Sequence, residues 1–333
     1  MALLLFRDIM GRHAGFAGSF RKTVMHGHTS SGPLDIHEMV VNWHLLEACN
    51  YRCGFCYAAW DTPRGAPGLW RDPVRSAALL EELRGFFDPA NAENPLRDRL
   101  RWNSLRLSLA GGEPTLIGDR LVEIAADARR LGFRVSLISN GSRLGGDRIA
   151  ALAPCLDMLG ISIDSADPDT NIRIGRCDGS GTPLLPEHLV SLVGRARAAN
   201  PALAVKVNTV VSAGNADESL ADIIARIRPD RWKLLRVLPM VSEALSIGKS
   251  EFDAFVGRHR QFSSIISVED NAAMTESYVM VDPQGRFFQN RRGLGGYAYS
   301  LPILHAGAAR AFEDISVSPE RFAGRYRSTA SAT

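Results

Sequence analysis

The chain has 333 residues, of which 45% are hydrophobic, and it carries a formal net charge of +3. This length suits one large domain with extensions, and α/β barrels often run this long as a single unit. The mild positive charge gives no basis for binding nucleic acid by bulk electrostatics, so we expect no nucleic-acid partner. No apolar run approaches the roughly 18 residues that a membrane span needs, so we expect no transmembrane segment.

Residues 1–32 differ in composition from the rest of the chain. Leucine and phenylalanine mix there with arginine and lysine, and Asp8 is the one acid in residues 1–32. Such a stretch is typical of an amphipathic anchor or a transit-like segment, although a poorly ordered extension is the simpler interpretation. We therefore predict an N-terminal extension over 1–37, a barrel domain over 38–240 and a capping extension over 241–333.

Apolar runs typical of strands alternate with helical patterns along the barrel domain. The predicted strands are 38–46, 104–110, 133–139, 157–163, 204–211 and 231–238. The predicted helices are 73–87, 118–131, 145–153, 186–199 and 216–228. This βαβ alternation predicts a parallel sheet, and six units favour an α/β fold, a partial (β/α)6 TIM-type barrel. A helix over 250–262 and a hairpin, Ser277–Asp282 with Arg286–Asn290, predict an α+β cap.

Three cysteines stand within eight residues in a C-x3-C-x2-C pattern: Cys49, Cys53 and Cys56. Three thiolates on one short loop can hold three irons of a [4Fe–4S] cluster and leave the fourth iron open to a cosubstrate. Structural zinc, with His44 as a fourth ligand, and chance clustering of buried cysteines are the alternatives. Five cysteines are too few, and odd in number, for a disulfide scaffold, so we expect a reducing cytoplasmic location.

Polar side chains recur at alternate positions of the apolar strands, and alternate positions face the same side of a sheet. Burying so many charges under helices would be costly, so we predict that these faces line a lumen that holds a polar ligand. The basic members come from three strands, and no acid in the pattern balances them: Arg106, Lys206, Arg231 and Lys233. Such a cluster suits a polyanion, for which a triphosphate is the natural small candidate, and Arg291 and Arg292 could close over it.

The turn Gly111-Gly112-Glu113-Pro114 follows the second barrel strand at its C-terminal end, where the active sites of barrels lie. Its glycines permit close backbone approach, and a carbonyl or carboxylate there can receive the ammonium of an amino acid. With the cysteine triplet, this turn resembles the methionine-amine site of radical S-adenosylmethionine (SAM) enzymes. The resemblance implies a [4Fe–4S] cluster and SAM as cofactors, with SAM also contacting Ser139, Asn140, Ser162, Asp164 and Arg176.

A narrower resemblance, over about residues 38–292, is to the viperin family. The matching segments, in the same order, are Asn42-Trp43-His44, Cys49 to Cys56, Gly111 to Pro114, Ser139 to Ser142, Ile174-Gly175-Arg176, Lys206-Val207-Asn208, Arg231-Trp232-Lys233 and Ser277-Tyr278. Viperins dehydrate a nucleoside triphosphate to its 3′-deoxy-3′,4′-didehydro form, which terminates viral RNA synthesis. The resemblance therefore implies a lyase of antiviral defence that needs an external electron donor such as flavodoxin or ferredoxin.

The same resemblance implies a role for each matching residue. Cys49, Cys53 and Cys56 would hold the cluster, and Tyr278 would sit near the ribose and supply a proton or hydrogen atom. The triphosphate and sugar would be held by Asn42, Arg106, Lys206, Asn208, Arg231, Lys233 and Arg291. The chain departs from the family after the hairpin, where Arg291-Arg292 leads into a glycine-rich stretch. We expect a monomer.

Other radical SAM families fit the cysteine content less well. A GTP-cyclising enzyme of the molybdopterin pathway needs a second cysteine cluster near its C terminus, and this chain has no cysteine after Cys177. Peptide-modifying enzymes with an auxiliary cluster fail on the same count. Two alternatives stay open: another radical SAM enzyme acting on a phosphorylated small molecule, and a non-catalytic iron–sulfur or nucleotide-binding protein.

Overall fold

A computed structural model of the chain describes residues 32–56, 67–238, 243–271, 276–290 and 296–326. Residues 1–31 of the predicted extension lie outside the described residues, as do Arg291 and Arg292. From Pro33 onward, the described residues form one compact unit. None of the helices in these ranges is long and apolar enough to cross a membrane.

The described residues contain twelve β-strands. They are β1 Leu34–Asp35, β2 Glu38–His44, β3 Leu100–Arg101, β4 Ser104–Ala110, β5 Arg134–Ser139, β6 Met158–Ser162, β7 Ala204–Val211, β8 Arg231–Arg236, β9 Ile266–Glu269, β10 Val279–Val281, β11 Arg286–Asn290 and β12 Tyr297–Pro302. Ten of them form one sheet in the order β12-β11-β10-β2-β4-β5-β6-β7-β8-β9. All neighbours from β10 to β9 are parallel, whereas β11 and β12 are antiparallel, and β1 pairs with β3 separately.

Helices in the described ranges connect most of the parallel strands. They are α1 Pro73–Phe86, α2 Arg120–Arg130, α3 Gly146–Leu152, α4 Pro168–Arg173, α5 Pro186–Ala199, α6 Ala221–Ile227, α7 Lys249–Arg258, α8 Ile303–Ala306, α9 Ala308–Phe312 and α10 Pro319–Tyr326. Helix α1 begins where Asp72 accepts hydrogen bonds from the N–H groups of Val74 and Arg75, with proline as its first residue. Helix α5 buries one face at the spacing of an amphipathic helix, through Leu189, Leu192, Val193 and Ala196.

The predicted α/β class, with a parallel sheet, is confirmed. The six predicted barrel strands correspond to β2 and to β4 through β8, and the bounds of β4 and β7 are those predicted. The structure adds a parallel strand at each end of this series, because β9 pairs with β8 and β10 pairs with β2. Both added strands come from the predicted capping region, and β9 was not predicted at all.

Strand β7 shows how the sheet acquires a polar inner face. Its odd-numbered residues are buried, as expected beneath helices, and its even-numbered residues are partly accessible. The strand register aligns Lys206 with Arg231 and Asn208 with Lys233. The predicted polar residues of neighbouring strands therefore lie side by side on one face.

The two ends of the parallel series approach each other although β9 and β10 are not paired as strands in the described part of the chain. The hydroxyl of Tyr278, just before β10, donates a hydrogen bond of 3.1 Å to the carboxylate of Glu269 in β9. Arg325, on the C-terminal helix α10, contacts both side chains. The sheet is thus strongly curved and open, with side chains rather than backbone hydrogen bonds bridging its gap.

Candidate active site

The loop of the three cysteines follows β2 and is held from two sides by backbone hydrogen bonds. They run from Gly112 N to Leu46 O (2.7 Å), Glu113 N to Ala48 O (2.9 Å), Arg52 N to Gly175 O (3.1 Å) and Gly54 N to Ile174 O (3.0 Å). The GGEP turn after β4 and the turn after α4 therefore form a cradle for the loop. These are the two turns that the sequence predicts to contact SAM.

Glycines are needed where the cradle touches the loop. A Cβ atom on Gly112 would lie 2.2 Å from the carbonyl oxygen of Ala48, and one on Gly175 would lie 2.1 Å from that of Arg52. Gly111 and Gly175 also have positive φ angles, of 138° and 78°, which side chains disfavour. The glycines thus position the loop by allowing backbone to pack directly on backbone.

The chemistry of the three thiols fits an iron–sulfur cluster. No disulfide joins the cysteines, all five of which lie in the described ranges. The backbone N–H of Tyr51 donates to the sulfur of Cys49 at 3.4 Å, a contact suited to a thiolate. Burial raises the pKa of Cys49 and raises that of Cys53 to about 12, so a metal must bind for these thiols to ionise.

A single-metal site is not formed here. No group of three or more His, Cys, Asp or Glu side chains in the described residues is arranged to hold one metal ion. In a [4Fe–4S] cube each thiolate binds a different iron, so three sulfurs spread along one loop fit that group. His44, the zinc alternative, is buried against Phe288 with ring centroids 5.1 Å apart. The zinc hypothesis is therefore not supported.

Glu113 ties the GGEP turn to the end of β5. Its buried carboxylate accepts hydrogen bonds from Thr115 N (3.1 Å), Thr115 Oγ1 (2.6 Å), Ser139 Oγ (2.8 Å) and Asn140 N (2.7 Å). Four donors satisfy most of what a carboxylate can accept. The role of this side chain is thus largely to join two strand ends, which leaves the turn's backbone carbonyls as the freer acceptors for an ammonium group.

Asn140 connects β5 to the cysteine loop. Its side-chain amide donates to Asn50 Oδ1 at 3.0 Å, and Asn50 in turn donates to Ser142 Oγ at 2.9 Å. The same amide nitrogen lies 4.0 Å from the sulfur of Cys49. The predicted Ser139-Asn140-Gly141-Ser142 segment is therefore in direct contact with the residues that would hold the cluster.

Arg176 joins the end of β6 to the other side of the loop. Its guanidinium donates to Ser162 O at 2.7 Å and forms an ion pair of 2.9 Å with Asp164. It also lies over the ring of Tyr51, 5.6 Å from the ring centroid. Burial raises the pKa of the Asp164 carboxyl, and the charge of Arg176 opposes that rise. Arg176 therefore has a carboxylate partner within the protein.

A small cavity lies where these residues meet, lined in part by Tyr51, Asn140, Ser162, Asp164 and Arg176. It is bounded by the predicted SAM residues of β5 and β6 and by the cysteine loop. A wider surface cleft of about 640 Å³ lies between the loops after β6 and β7, and the described residues that line it include none of the predicted site residues. The smaller cavity is therefore the better candidate for contact with SAM.

The predicted basic residues meet on the inner face. Lys206 aligns with Arg231 in the register of β7 and β8. Burial, together with Arg231 and Arg106, lowers the pKa of Lys206 to about 7. Burial and the charge of Lys206 also lower the pKa of Lys233 well below its usual value. A bound anion would be stabilised by buried cations that lie this close together.

The expectation that no acid balances these cations is wrong. Glu38 forms ion pairs with Arg106 (2.9 Å) and with the partly exposed Arg134 (3.1 Å). Glu269 forms ion pairs with Lys233 and with Arg325. Glu38 lies at an even position of predicted strand 38–46, like Asn42, so alternation along that strand could have indicated it, whereas Glu269 lies on a strand that was not predicted. Two carboxylates, Glu38 and Glu269, do not neutralise the five basic side chains of this face. With both lysines protonated, an excess of three positive charges remains. The five are Arg106, Lys206, Arg231, Lys233 and Arg325.

Tyr278 lies at the centre of the Glu269 group. Its hydroxyl accepts a hydrogen bond from Lys233 Nζ at 3.0 Å and donates to Glu269 at 3.1 Å, and Arg325 also contacts it. Lys233 and Arg325 additionally lie over its ring, 5.4 Å and 3.7 Å from the centroid. The phenol is therefore polarised by one carboxylate and two cations, an arrangement suited to proton transfer.

Residues of α10 reach the same face, which the sequence did not predict. Asn42 donates to Val279 O at 3.2 Å and hydrogen-bonds to Tyr326, whose pKa is raised by burial. Arg325 and Tyr326 close one side of the lumen, and Arg231 donates weakly to Arg325 O at 3.4 Å. The sequence feature that could have indicated this contact is the adjacent pair Arg325-Tyr326, near the end of the described residues.

The chain matches the family described as the radical SAM superfamily over residues 43–227. Its relatives include two proteins named S-adenosylmethionine-dependent nucleotide dehydratase. The one from Pseudoalteromonas ulvae is 40% identical, over 88% of this chain and 94% of that protein. The one from Psychrobacter lutiphocae is 39% identical, over 91% and 98%.

This chain belongs to the viperin family of radical SAM proteins. The family uses a [4Fe–4S] cluster and SAM, as the resemblance implied. A further relative, from the trout Oncorhynchus mykiss, is named S-adenosylmethionine-dependent nucleotide dehydratase RSAD2 and is 29% identical over 86% of this chain and 78% of that protein. The predicted family and cofactors are confirmed, whereas the roles of individual residues stay predictions.

Solved structures share the fold at low sequence identity. The structure titled native anSMEcpe with bound AdoMet aligns with a TM-score of 0.54 and 14% identity, covering 76% of this chain and 74% of that one. Streptococcus suis SuiB bound to S-adenosylmethionine aligns with a TM-score of 0.51 and 13% identity, covering 75% and 60%. These likenesses extend to the fold alone, and they agree with the curved parallel sheet described above.

Proposed function

We propose that this protein dehydrates a ribonucleoside triphosphate to its 3′-deoxy-3′,4′-didehydro analogue, a chain terminator used in antiviral defence. The observation that carries the proposal is the excess of positive charge on the inner face of the sheet, whose strand β2 leads into the cysteine loop. A triphosphate bound there would neutralise this charge. The names of the relatives support a nucleotide as the substrate and dehydration as the reaction.

In this proposal Cys49, Cys53 and Cys56 hold the [4Fe–4S] cluster. When bound, the reduced cluster and SAM supply one-electron chemistry that removes a hydrogen atom from the substrate. The chain orients SAM through the strand ends that surround the loop: Gly111, Gly112, Glu113, Ser139, Asn140, Ser162, Asp164 and Arg176. Their hydrogen bonds to one another keep these strand ends fixed and exclude water from the gap between loop and sheet.

The basic side chains hold the triphosphate. Lys206 and Arg231 are the primary phosphate contacts, because neither has an ion pair with a described residue. Arg106 and Lys233 contribute from their positions beside Glu38 and Glu269. Asn42 on β2 and Asn208 on β7 orient the sugar. A contact of Arg291 with the phosphates stays a prediction, because Arg291 lies outside the described residues.

Tyr278 supplies the proton or hydrogen atom that the reaction needs. The reaction removes a hydrogen atom from ribose C4′ and the hydroxyl from C3′. One proton converts the leaving hydroxyl to water, and a second electron from the external flavodoxin or ferredoxin returns to the sugar, so the product is the substrate less one water. The hydroxyl of Tyr278, which donates to Glu269 and accepts from Lys233, can deliver that proton.

The electron source and the setting of the reaction are also part of the proposal. A flavodoxin or ferredoxin would reduce the cluster, since nothing in the described residues offers a second redox group. The protein would act as a cytoplasmic monomer, on free nucleotides rather than on nucleic acid.

The test is anaerobic incubation of the cluster-loaded protein with SAM, dithionite and each of the four ribonucleoside triphosphates. Mass analysis should find 5′-deoxyadenosine together with a product lighter by one water from one preferred nucleotide. Formation of 5′-deoxyadenosine with a different phosphorylated molecule alone would favour another radical SAM reaction. Absence of 5′-deoxyadenosine with every nucleotide would favour mere binding.

A matched pair of variants tests the phosphate site. Lys206→Ala should lower nucleotide turnover while the iron and sulfide content of the cluster stays at the wild-type level. Lys249→Ala removes an exposed lysine that pairs with Asp253 on α7 and should change neither. Equal turnover by Lys206→Ala and the wild type would remove Lys206 from the phosphate site.

A further inference from the structure

Glu269 is a buried acid in the middle of the predicted phosphate site. Its residue is only 6% exposed, and both of its carboxylate oxygens are engaged. One oxygen forms the ion pair with Lys233, and the other meets Arg325 and the hydroxyl of Tyr278. A negative group in a site built for an anion needs a physical reason, because it repels the substrate.

We propose that Glu269 is an internal counter-ion that the triphosphate displaces from Lys233, and that it thereby sets the affinity of the phosphate site. This inference rests on the proposed function and concerns the same lumen. An anion must then compete with the Glu269 carboxylate for Lys233 in order to occupy the site.

The charges on the inner face explain why a counter-ion is needed. Lys233 lies next to Lys206 and Arg231 in the register of β7 and β8, and each of these cations depresses the pKa of a neighbour. Without an acid, the buried cations would repel one another and lose protons. Glu269 opposes the loss of the Lys233 proton, while its own pKa is lowered by Lys233 and Arg325 against the opposing effect of burial.

The same arrangement makes Glu269 a competitor of the substrate. Lys233 lies two residues along β8 from Arg231, so an anion held by Lys206 and Arg231 is also attracted to Lys233. Two negative groups at one ammonium repel each other, and this repulsion is stronger in a protein interior than in water. A triphosphate carries several charges against one on Glu269, so it prevails and Lys233 turns from the carboxylate to the phosphate.

The alternative is that Glu269 is a brace, an acid that only stabilises the fold. Glu269 joins β9 to β8 through Lys233 and to α10 through Arg325, and such a brace could serve stability alone. The two roles predict opposite changes in phosphate affinity when Glu269 is replaced. Removing a brace loosens the site and weakens binding, whereas removing a competitor strengthens it.

The experiment measures the dissociation constants of inorganic triphosphate and of a ribonucleoside triphosphate by calorimetry, without reductant. The variants are Glu269→Gln, which removes the charge and keeps the shape, and Glu269→Asp, which keeps the charge and shortens its reach. The measurement is made at about pH 6, below the Lys206 pKa of about 7 in the wild type. Glu218→Gln removes a half-buried acid that accepts from Ser165, away from the cations, and serves as the control.

We expect Glu269→Gln to bind inorganic triphosphate at least about fivefold more tightly than the wild type. Glu269→Asp should lie between the two, because its carboxylate reaches Lys233 and Arg325 less well, and Glu218→Gln should match the wild type. Wild-type or weaker binding by either Glu269 variant would overturn the inference, and either variant suffices if the other fails to fold. Failure to form the dehydrated product, with this order of affinities intact, would refute the proposed reaction and leave Glu269 as the counter-ion.

Discussion

The lowered pKa of Lys206 makes nucleotide binding depend on pH. Burial, Arg231 and Arg106 bring this pKa to about 7, far below the usual value for lysine, so the free protein holds Lys206 largely neutral above pH 7. A bound phosphate favours the ammonium and raises the pKa again. Binding must therefore take up a proton above pH 7, and affinity must fall as the pH rises.

The size of the effect follows from the pKa. With a free-state pKa of about 7, roughly nine Lys206 side chains in ten are neutral at pH 8. The dissociation constant for a triphosphate should then rise about tenfold for each pH unit above 7, equal to about 1.4 kcal/mol per unit. The triphosphate itself is fully ionised in this range, so its own titration adds little.

The assay is calorimetric titration with a ribonucleoside triphosphate between about pH 7.5 and 8.5, in two buffers of different ionisation enthalpy. The matched control is Lys206→Arg, which keeps the charge but cannot lose its proton. Because Lys233 also has a lowered pKa, the decisive quantity is the difference between the two proteins, expected to be about one proton per nucleotide. Equal proton uptake by the wild type and Lys206→Arg would refute the reasoning.

Two further predictions concern the frame of the site. Gly175→Ala places a Cβ atom 2.1 Å from the carbonyl oxygen of Arg52, at a φ of 78°. The iron content after reconstitution should therefore fall, and the free energy of unfolding should fall by about 1–3 kcal/mol. Gly179→Ala, which has open space around it, should match the wild type in both, and equal loss in the two variants would contradict the steric argument. Thr209→Val removes the hydroxyl that donates to Ile163 O at 2.6 Å and accepts from Trp232 at 2.9 Å; chemical denaturation should show a loss of about 1–3 kcal/mol, and an unchanged midpoint would count against it.

Local pattern was enough to predict most of the barrel. The strands β4 and β7 and the helix α5 have the predicted bounds, because period-two and period-3.6 patterns are properties of a short segment. The cysteine loop and the GGEP turn could be paired from sequence, since both follow strands that are neighbours in the sheet. The polar inner faces were also predictable, because alternation along each strand fixes which residues share a side.

The partners of those polar residues depended on the tertiary structure. Lys233 and Glu269 are adjacent because β9 pairs with β8, and Tyr278 joins them because the curved sheet brings β10 opposite β9. Arg325 arrives from a helix near the end of the described chain. The sequence by itself determined the cofactor loop and the presence of a cationic face, because those are local patterns. Only the fold decided that the face contains its own counter-ion, because charge neutralisation depends on distances between segments far apart in the chain.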